Sequence, residues 1–163
     1  MIFLTEAVVC CILFAVIIIS SVNKNPMMWI ADYPPAIREK ARELGLVPEK
    51  EPEMPLKVII RKIIASIVMT AILILLLIHV NGAETFREGF LLSYGLWMIV
   101  DWFDALFLDC IWFANNKKIR IPGTEDMDEG YHDYWFHIKM SLIGMLIGLP
   151  VCLLAGLGVM IFA

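Results

Sequence analysis

Three aspartates, Asp101, Asp104 and Asp109, lie inside the apolar stretch WMIVDWFDALFLDCIW at residues 97–112. A carboxylate at the centre of a membrane helix costs at least about 2.5–3.5 kcal/mol, so such groups face a protein interior or a wet cavity and mark functional sites. At about 100° per residue, Trp97, Asp101, Asp104, Leu108 and Trp112 fall within an arc of roughly 80°, with Asp109 about 80° to one side of Asp101. A second polar group follows in sequence: Glu125, His132, Asp133 and His137. Asp133 and His137 are four apart and share a helix face. Carboxylates mixed with imidazole suit manganese, iron or zinc, which makes Asp104, Asp109, Asp133 and His137 a candidate divalent-metal set. A metal-activated water held there would act on a lipid-type substrate. The chain has no HExxH motif, and the acidic run after residue 124 lacks the ligand spacing of an EF-hand.

The elements that must position these residues are membrane helices. The chain has 163 residues, 60% of them apolar and only 18% charged, which is far more apolar than a soluble domain. Four runs, about 2–22, 56–80, 89–113 and 135–162, each have room for the ~20 residues a spanning helix needs. The expected architecture is all-α: one four-helix transmembrane bundle forming a single domain over residues 1–163. Twelve of the 13 Lys and Arg residues lie in or beside the connections 23–55 and 114–134, and Arg87 alone lies in the second connection. By the positive-inside rule, both long connections are cytoplasmic and both termini lie outside. The first helix is followed, not preceded, by positive charge, and it reads as a retained span rather than a cleaved signal. Counting ~1.5 Å per residue from Gly89, Asp101 comes ~18 Å into the third span, Asp104 ~23 Å and Asp109 ~30 Å. The aspartates therefore descend towards the cytoplasmic face.

The connections carry their own signals. Met27, Met28, Trp29 and Ile30 form an apolar patch beside the membrane, and Asp32-Tyr33-Pro34-Pro35 stops any helix. Pro35 suits a first helical position and Gly45 a C-terminal stop. Between them Ile37, Ala41 and Leu44 share one face of a short amphipathic helix, lying on the inner leaflet or against the loops. Residues 48–55 read as an extended linker. Ile121-Pro122-Gly123-Thr124 is a turn, placed over the junction where Asp104 or Asp109 would meet Asp133 or His137. In the fourth span Ser141, Gly144, Gly148, Cys152 and Gly156 make a small-residue seam for close helix packing, and Pro150 is expected to kink it. Glu6, one turn into the first helix, reaches the headgroup region or carries a proton. Cys10, Cys11, Cys110 and Cys152 show no CxxC spacing and read as small buried apolar residues.

Three pieces carry a resemblance: NPMMWIADYPPAI in the first connection, DWFDALFLDCIW in the third span, and IPGTEDMDEGYHDYWFHIKM leading into the fourth. Together they resemble a group of bacterial four-span integral membrane proteins with DYP and IPGTE…DYxFH elements, to which no function attaches. The resemblance covers most of the chain and implies a multi-pass protein of the bacterial inner membrane. It departs from the pattern in being more acidic after IPGTE, at Asp126, Asp128 and Glu129.

Three functions fit these residues. The first is a carboxylate- and histidine-lined pocket near the cytoplasmic side that takes a cation or divalent metal, with or without hydrolytic activity. The second is a proton- or cation-linked transporter subunit, which with four spans would work as a homo-oligomer or with a partner. The third is a non-catalytic membrane partner or scaffold, in which the aspartates fix packing. The lipid bilayer is the one partner common to all three. No glycine-rich nucleotide loop and no nucleic-acid face is present in the sequence. The charge asymmetry gives a direct test: a cysteine engineered within residues 48–55 should resist an impermeant thiol reagent in intact cells, and efficient labelling would overturn the orientation.

Overall fold

The computed structural model describes residues 2–48 and 55–163, and all of the regular structure there is helical. There are six α-helices among the described residues: α1 Ile2–Lys24, α2 Pro35–Glu43, α3 Leu56–His79, α4 Phe86–Phe103, α5 Asp128–Tyr131 and α6 Tyr134–Phe162. A π-helix, Asp104–Phe113, continues directly from α4. Three stretches are long and apolar enough to cross a membrane: α1, α3, and the Asp128–Phe162 segment that contains α6. The helix 86–113 is also long, but Asp101, Asp104 and Asp109 interrupt its apolar surface. Most of the linker read at 48–55 lies outside the described residues.

The chain divides into two compact units. The first comprises Met1–Val9, Glu53–Ile99 and Ile143–Ala163. The small-residue seam of α6 is its organising feature. The Trp97 indole Nε1 donates to the Gly144 carbonyl at 3.0 Å, and a Cβ on Gly148 would collide with that same indole. Two turns further, a Cβ on Gly156 would lie 2.9 Å from the Phe86 carbonyl oxygen, and one on Gly89 would lie 2.8 Å from the Val159 side chain. α4 and α6 therefore approach at glycine distance, as expected of small-residue seams. Leu77, Ala83, Ala155 and Val159 close a small core beside this contact. Pro150 lies inside α6, which continues through it. Thr85 and Glu88 form a capping box: Glu88 Oε2 accepts the Thr85 N–H at 3.0 Å, and Thr85 Oγ1 accepts the Glu88 N–H at 3.3 Å. Glu6 accepts from Asn81 Nδ2 with both carboxylate oxygens, at 3.0 and 3.1 Å, so it is spent on a side-chain pair. α3 buries only Leu77 and otherwise presents an apolar surface of the kind suited to lipid.

The second unit comprises Cys10–Pro52 and Val100–Leu142. Its core holds Val22, Tyr33, Ile37, Ala41, Phe113, Ile119, Ile121 and Tyr131. Asn25 caps a short 3₁₀ turn, Pro26–Asp32, accepting the Met27 N–H at 3.1 Å. Tyr33 is extended, as the residue before a proline must be, and α2 starts at Pro35. α2 ends in a Schellman arrangement: Leu46 N–H bonds to the Ala41 carbonyl, Gly45 N–H to that of Arg42, and Gly45 has φ +71°. The apolar face of α2 turns inward onto Tyr33, Phe113 and Tyr131, burying Ile37 and Ala41 completely while Leu44 stays exposed. That face meets the loops, so the alternative of a leaflet-bound α2 is not realised through it.

The glycine seam supplies a stability test. Gly156→Ala should destabilise the protein by about 1–3 kcal/mol, because the added methyl meets a backbone carbonyl that cannot rotate away. Leu154→Ala, at an exposed position two residues earlier, should change stability by less than about 0.5 kcal/mol in the same thermal-melt series.

Candidate functional site

The continuation of α4 as a π-helix decides what the aspartates face. From Asp104 onward the hydrogen bonds run from residue i to i+5, and the Ala114 N–H still bonds to the Asp109 carbonyl. On an α-helix, Asp104 and Asp109 would point about 140° apart. With the ladder lengthened by one residue per turn, positions five apart come to the same side. Asp104, Leu108, Asp109, Trp112 and Phe113 accordingly line one cavity of 280 Å³ in the second unit. The arc computed at 100° per residue thus holds only as far as Phe103, and beyond it the wider turn replaces that geometry.

The cavity is acidic and aromatic. Asp32, Asp104 and Asp109 contribute three carboxylates, and Trp29, Tyr33, Trp112, Phe113 and Phe136 form much of the wall. His137 lines the same cavity. It is 2% exposed, and its Nδ1 lies 2.9 Å from Asp109 Oδ2. Phe113 and Phe136 meet its ring edge-on, with centroids 5.8 and 5.2 Å away. The Nε2 of His137 is buried without a hydrogen-bond partner, and such an orphan calls for an explanation. An ionised carboxylate only accepts, so the Asp109 contact fixes the proton of a neutral ring on Nδ1 and leaves Nε2 as a free acceptor.

The expected cytoplasmic-end pairing of Asp104 or Asp109 with Asp133 or His137 is present as Asp109–His137. The other expected members serve elsewhere. Asp101 accepts a hydrogen bond from Ser141 Oγ of α6. Asp133 accepts the Phe136 N–H at 3.0 Å and caps the first turn of α6. His132 Nδ1 lies 2.7 Å from the Asp128 carbonyl oxygen. The Glu125 side chain accepts the Gly123 N–H at 2.8 Å, and its carbonyl accepts from Arg120. No group of three His, Cys, Asp or Glu side chains among the described residues is placed to hold a metal ion. The four-residue set of Asp104, Asp109, Asp133 and His137 is therefore not assembled, because Asp133 is committed to its helix terminus.

The turn at 121–125 does not cover the cavity. It is a type II turn, with Pro122 at its second position, Gly123 at φ +83° and the Thr124 N–H bonded to the Ile121 carbonyl at 3.0 Å. Tyr131 draws it into the core instead. The phenol accepts the Ile121 N–H at 2.9 Å and shares a 2.7 Å bond with Thr124 Oγ1. Arg120 stacks over the Tyr131 ring, 4.9 Å from its centroid, and pairs with Asp128, holding that carboxyl below its usual range. The cover comes from the first connection, through Trp29, Asp32 and Tyr33. Trp29 is held by its indole N–H, which donates to Ser21 Oγ at 2.9 Å, and Tyr33 by a 3.3 Å bond to the Ile119 carbonyl. In the sequence Asp32 reads as part of a helix stop. The signal for its role was an aspartate directly after an apolar, tryptophan-bearing patch.

No protein-family model matches the chain, and no curated protein or solved structure matches it.

Asp32 belongs to the first connection, and its environment disfavours its charge. Desolvation raises its pKa, the Asp109 carboxylate raises it further, and Arg38 partly offsets both. The charged form is therefore less favourable in the folded state, so this group contributes destabilisation that appears as pH rises above its unfolded pKa and is complete above its folded one. Asp32→Asn should raise the melting temperature at pH 7, with the gain vanishing towards pH 3. Part of the residue is exposed, so solvent screening keeps the gain small. A drop in melting temperature at pH 7 would contradict this electrostatic account.

Proposed function

We propose that this chain is a four-span integral membrane protein of the bacterial inner membrane, with both termini extracytoplasmic, and that its acidic cavity binds a cation on the cytoplasmic side. The helix 86–113 supplies the remaining span, third in chain order. At about 1.5 Å per residue it is roughly 40 Å long, ample for a ~30 Å hydrocarbon core. The orientation rests on the one-sided distribution of Lys and Arg, and the bacterial setting rests on the DYP and IPGTE…DYxFH resemblance. Neither supplies an activity.

The observation that carries the functional reading is that Asp32, Asp104, Asp109 and His137 line one cavity. Three carboxylates share that space, and among the described residues none of them forms an ion pair with Lys or Arg. Like charges so arranged repel, and a bound cation relieves that repulsion. Binding, rather than a particular reaction, is what the arrangement supports, and it would suit a carrier subunit as well as a sensor. A packing role is the second reading, favoured by the Asp101–Ser141 and Asp109–His137 contacts, each of which ties helix 86–113 to α6.

Thermal stability of the purified protein at constant ionic strength separates these readings. A panel of sodium, potassium, magnesium, manganese and simple ammonium salts should contain at least one cation that raises the melting temperature of the wild type. At a hundred times its Kd, the rise should be about 5–10 °C. Asp104→Asn should lose most of that response while remaining folded. If no cation shifts the wild type, the cavity is a packing network.

A further inference from the structure

The walls of the cavity narrow the class of cation. We infer that the site takes a small organic ammonium ion that carries at least one N–H, an inference that rests on the cation-binding reading above. Three features point the same way. The carboxylates of Asp32, Asp104 and Asp109 are set around a cavity rather than gathered on one point, and no three metal-ligating side chains among the described residues converge. A bare divalent ion needs such convergence, because its ligands must all lie close to one centre. An ammonium group on an organic body spreads its demands over a longer reach.

The second feature is the aromatic wall. Trp29, Trp112, Phe113 and Phe136 supply polarisable ring surface beside the carboxylates. Aromatic surfaces attract organic cations through the ring quadrupole, Trp most strongly, and they also accept the alkyl part of the ligand. A hydrated metal ion gains little from such a wall. The third feature is the orphan Nε2 of His137. In the neutral ring, with Nδ1–H directed to Asp109, Nε2 is a buried acceptor without a donor. A protonated amine brings N–H donors to both the carboxylates and the imidazole, whereas a quaternary ammonium brings none. At about 30 Å³ per water-sized group, a cavity of 280 Å³ accommodates a ligand of on the order of ten non-hydrogen atoms or fewer.

Calorimetric titration of the full-length protein in detergent tests this, using n-butylammonium, its neutral counterpart n-butanol, tetramethylammonium and manganese as probes. n-Butylammonium should bind saturably, and n-butanol should not. Tetramethylammonium should bind at least fivefold more weakly, for want of an N–H. Asp104→Asn and Trp112→Ala should each weaken n-butylammonium at least fivefold, with circular dichroism reporting that the helices are retained. Comparable binding of n-butylammonium and n-butanol would overturn the inference, because charge would then play no part. Manganese binding that outcompetes n-butylammonium would overturn the organic class yet leave the cation-binding reading standing. Binding of neither ion to the wild-type protein would overturn the organic-ammonium inference, and the cation-binding reading falls with it when the salt panel above also leaves the melting temperature unchanged.

Discussion

The site depends on one change in hydrogen-bond register. At Asp104 the ladder of helix 86–113 passes from i→i+4 to i→i+5, and it stays there through Phe113. Extended π-helix is rare, and where it occurs it is frequently functional. Its effect here is specific. It brings Asp109 and Phe113, which an α-helix would have turned about 140° and 180° away from Asp104, to the side that Asp104, Leu108 and Trp112 already share. The polar contacts that hold this register come from α6, through Ser141 to Asp101 just before the change and His137 to Asp109 within it.

The aromatic core of the second unit positions the other wall. Tyr33 meets Phe113 edge-on with centroids 4.7 Å apart, and Tyr131 lies 5.7 Å from Phe113. Ile37 and Ala41 of α2 close over the group. Because Phe113 is both a core residue and a cavity residue, packing of the core fixes the end of the π-helix. The same core fixes Tyr33, and with it the neighbouring Asp32. In the 125–133 loop Asp128, Asp133 and Glu125 serve the loop's own structure, pairing with Arg120, capping α6 and accepting the Gly123 N–H. The charge of the cavity comes from elements remote in sequence, and the more acidic loop contributes none of it.

Burial and the neighbouring Asp109 carboxylate disfavour the charged form of Asp32, the cavity member in the connection. Clustered carboxylates that repel one another lower stability in the empty state and raise affinity for a positive ligand that enters.

The sequence by itself determined the helices and much of their punctuation. Helix bounds fell within a few residues of the four apolar runs, because an apolar stretch of that length has few alternatives to helix. Pro35 and Gly45 delimited α2, the Ile121-Pro122-Gly123-Thr124 signal gave the turn, and the seam from Gly144 to Gly156 gave the close approach of helices, since each follows from local backbone sterics. Asp104, Asp109 and His137 were legible as candidates from the cost of burying a carboxylate and from their nearness to the same span end. Tertiary structure alone decided the rest. The π register is invisible to any count made at 100° per residue, because that count assumes an i→i+4 ladder throughout. Asp32 enters the cavity from a connection about 70 residues distant, and Asp133 leaves the candidate set because the free N–H groups at the start of α6 claim its carboxylate first.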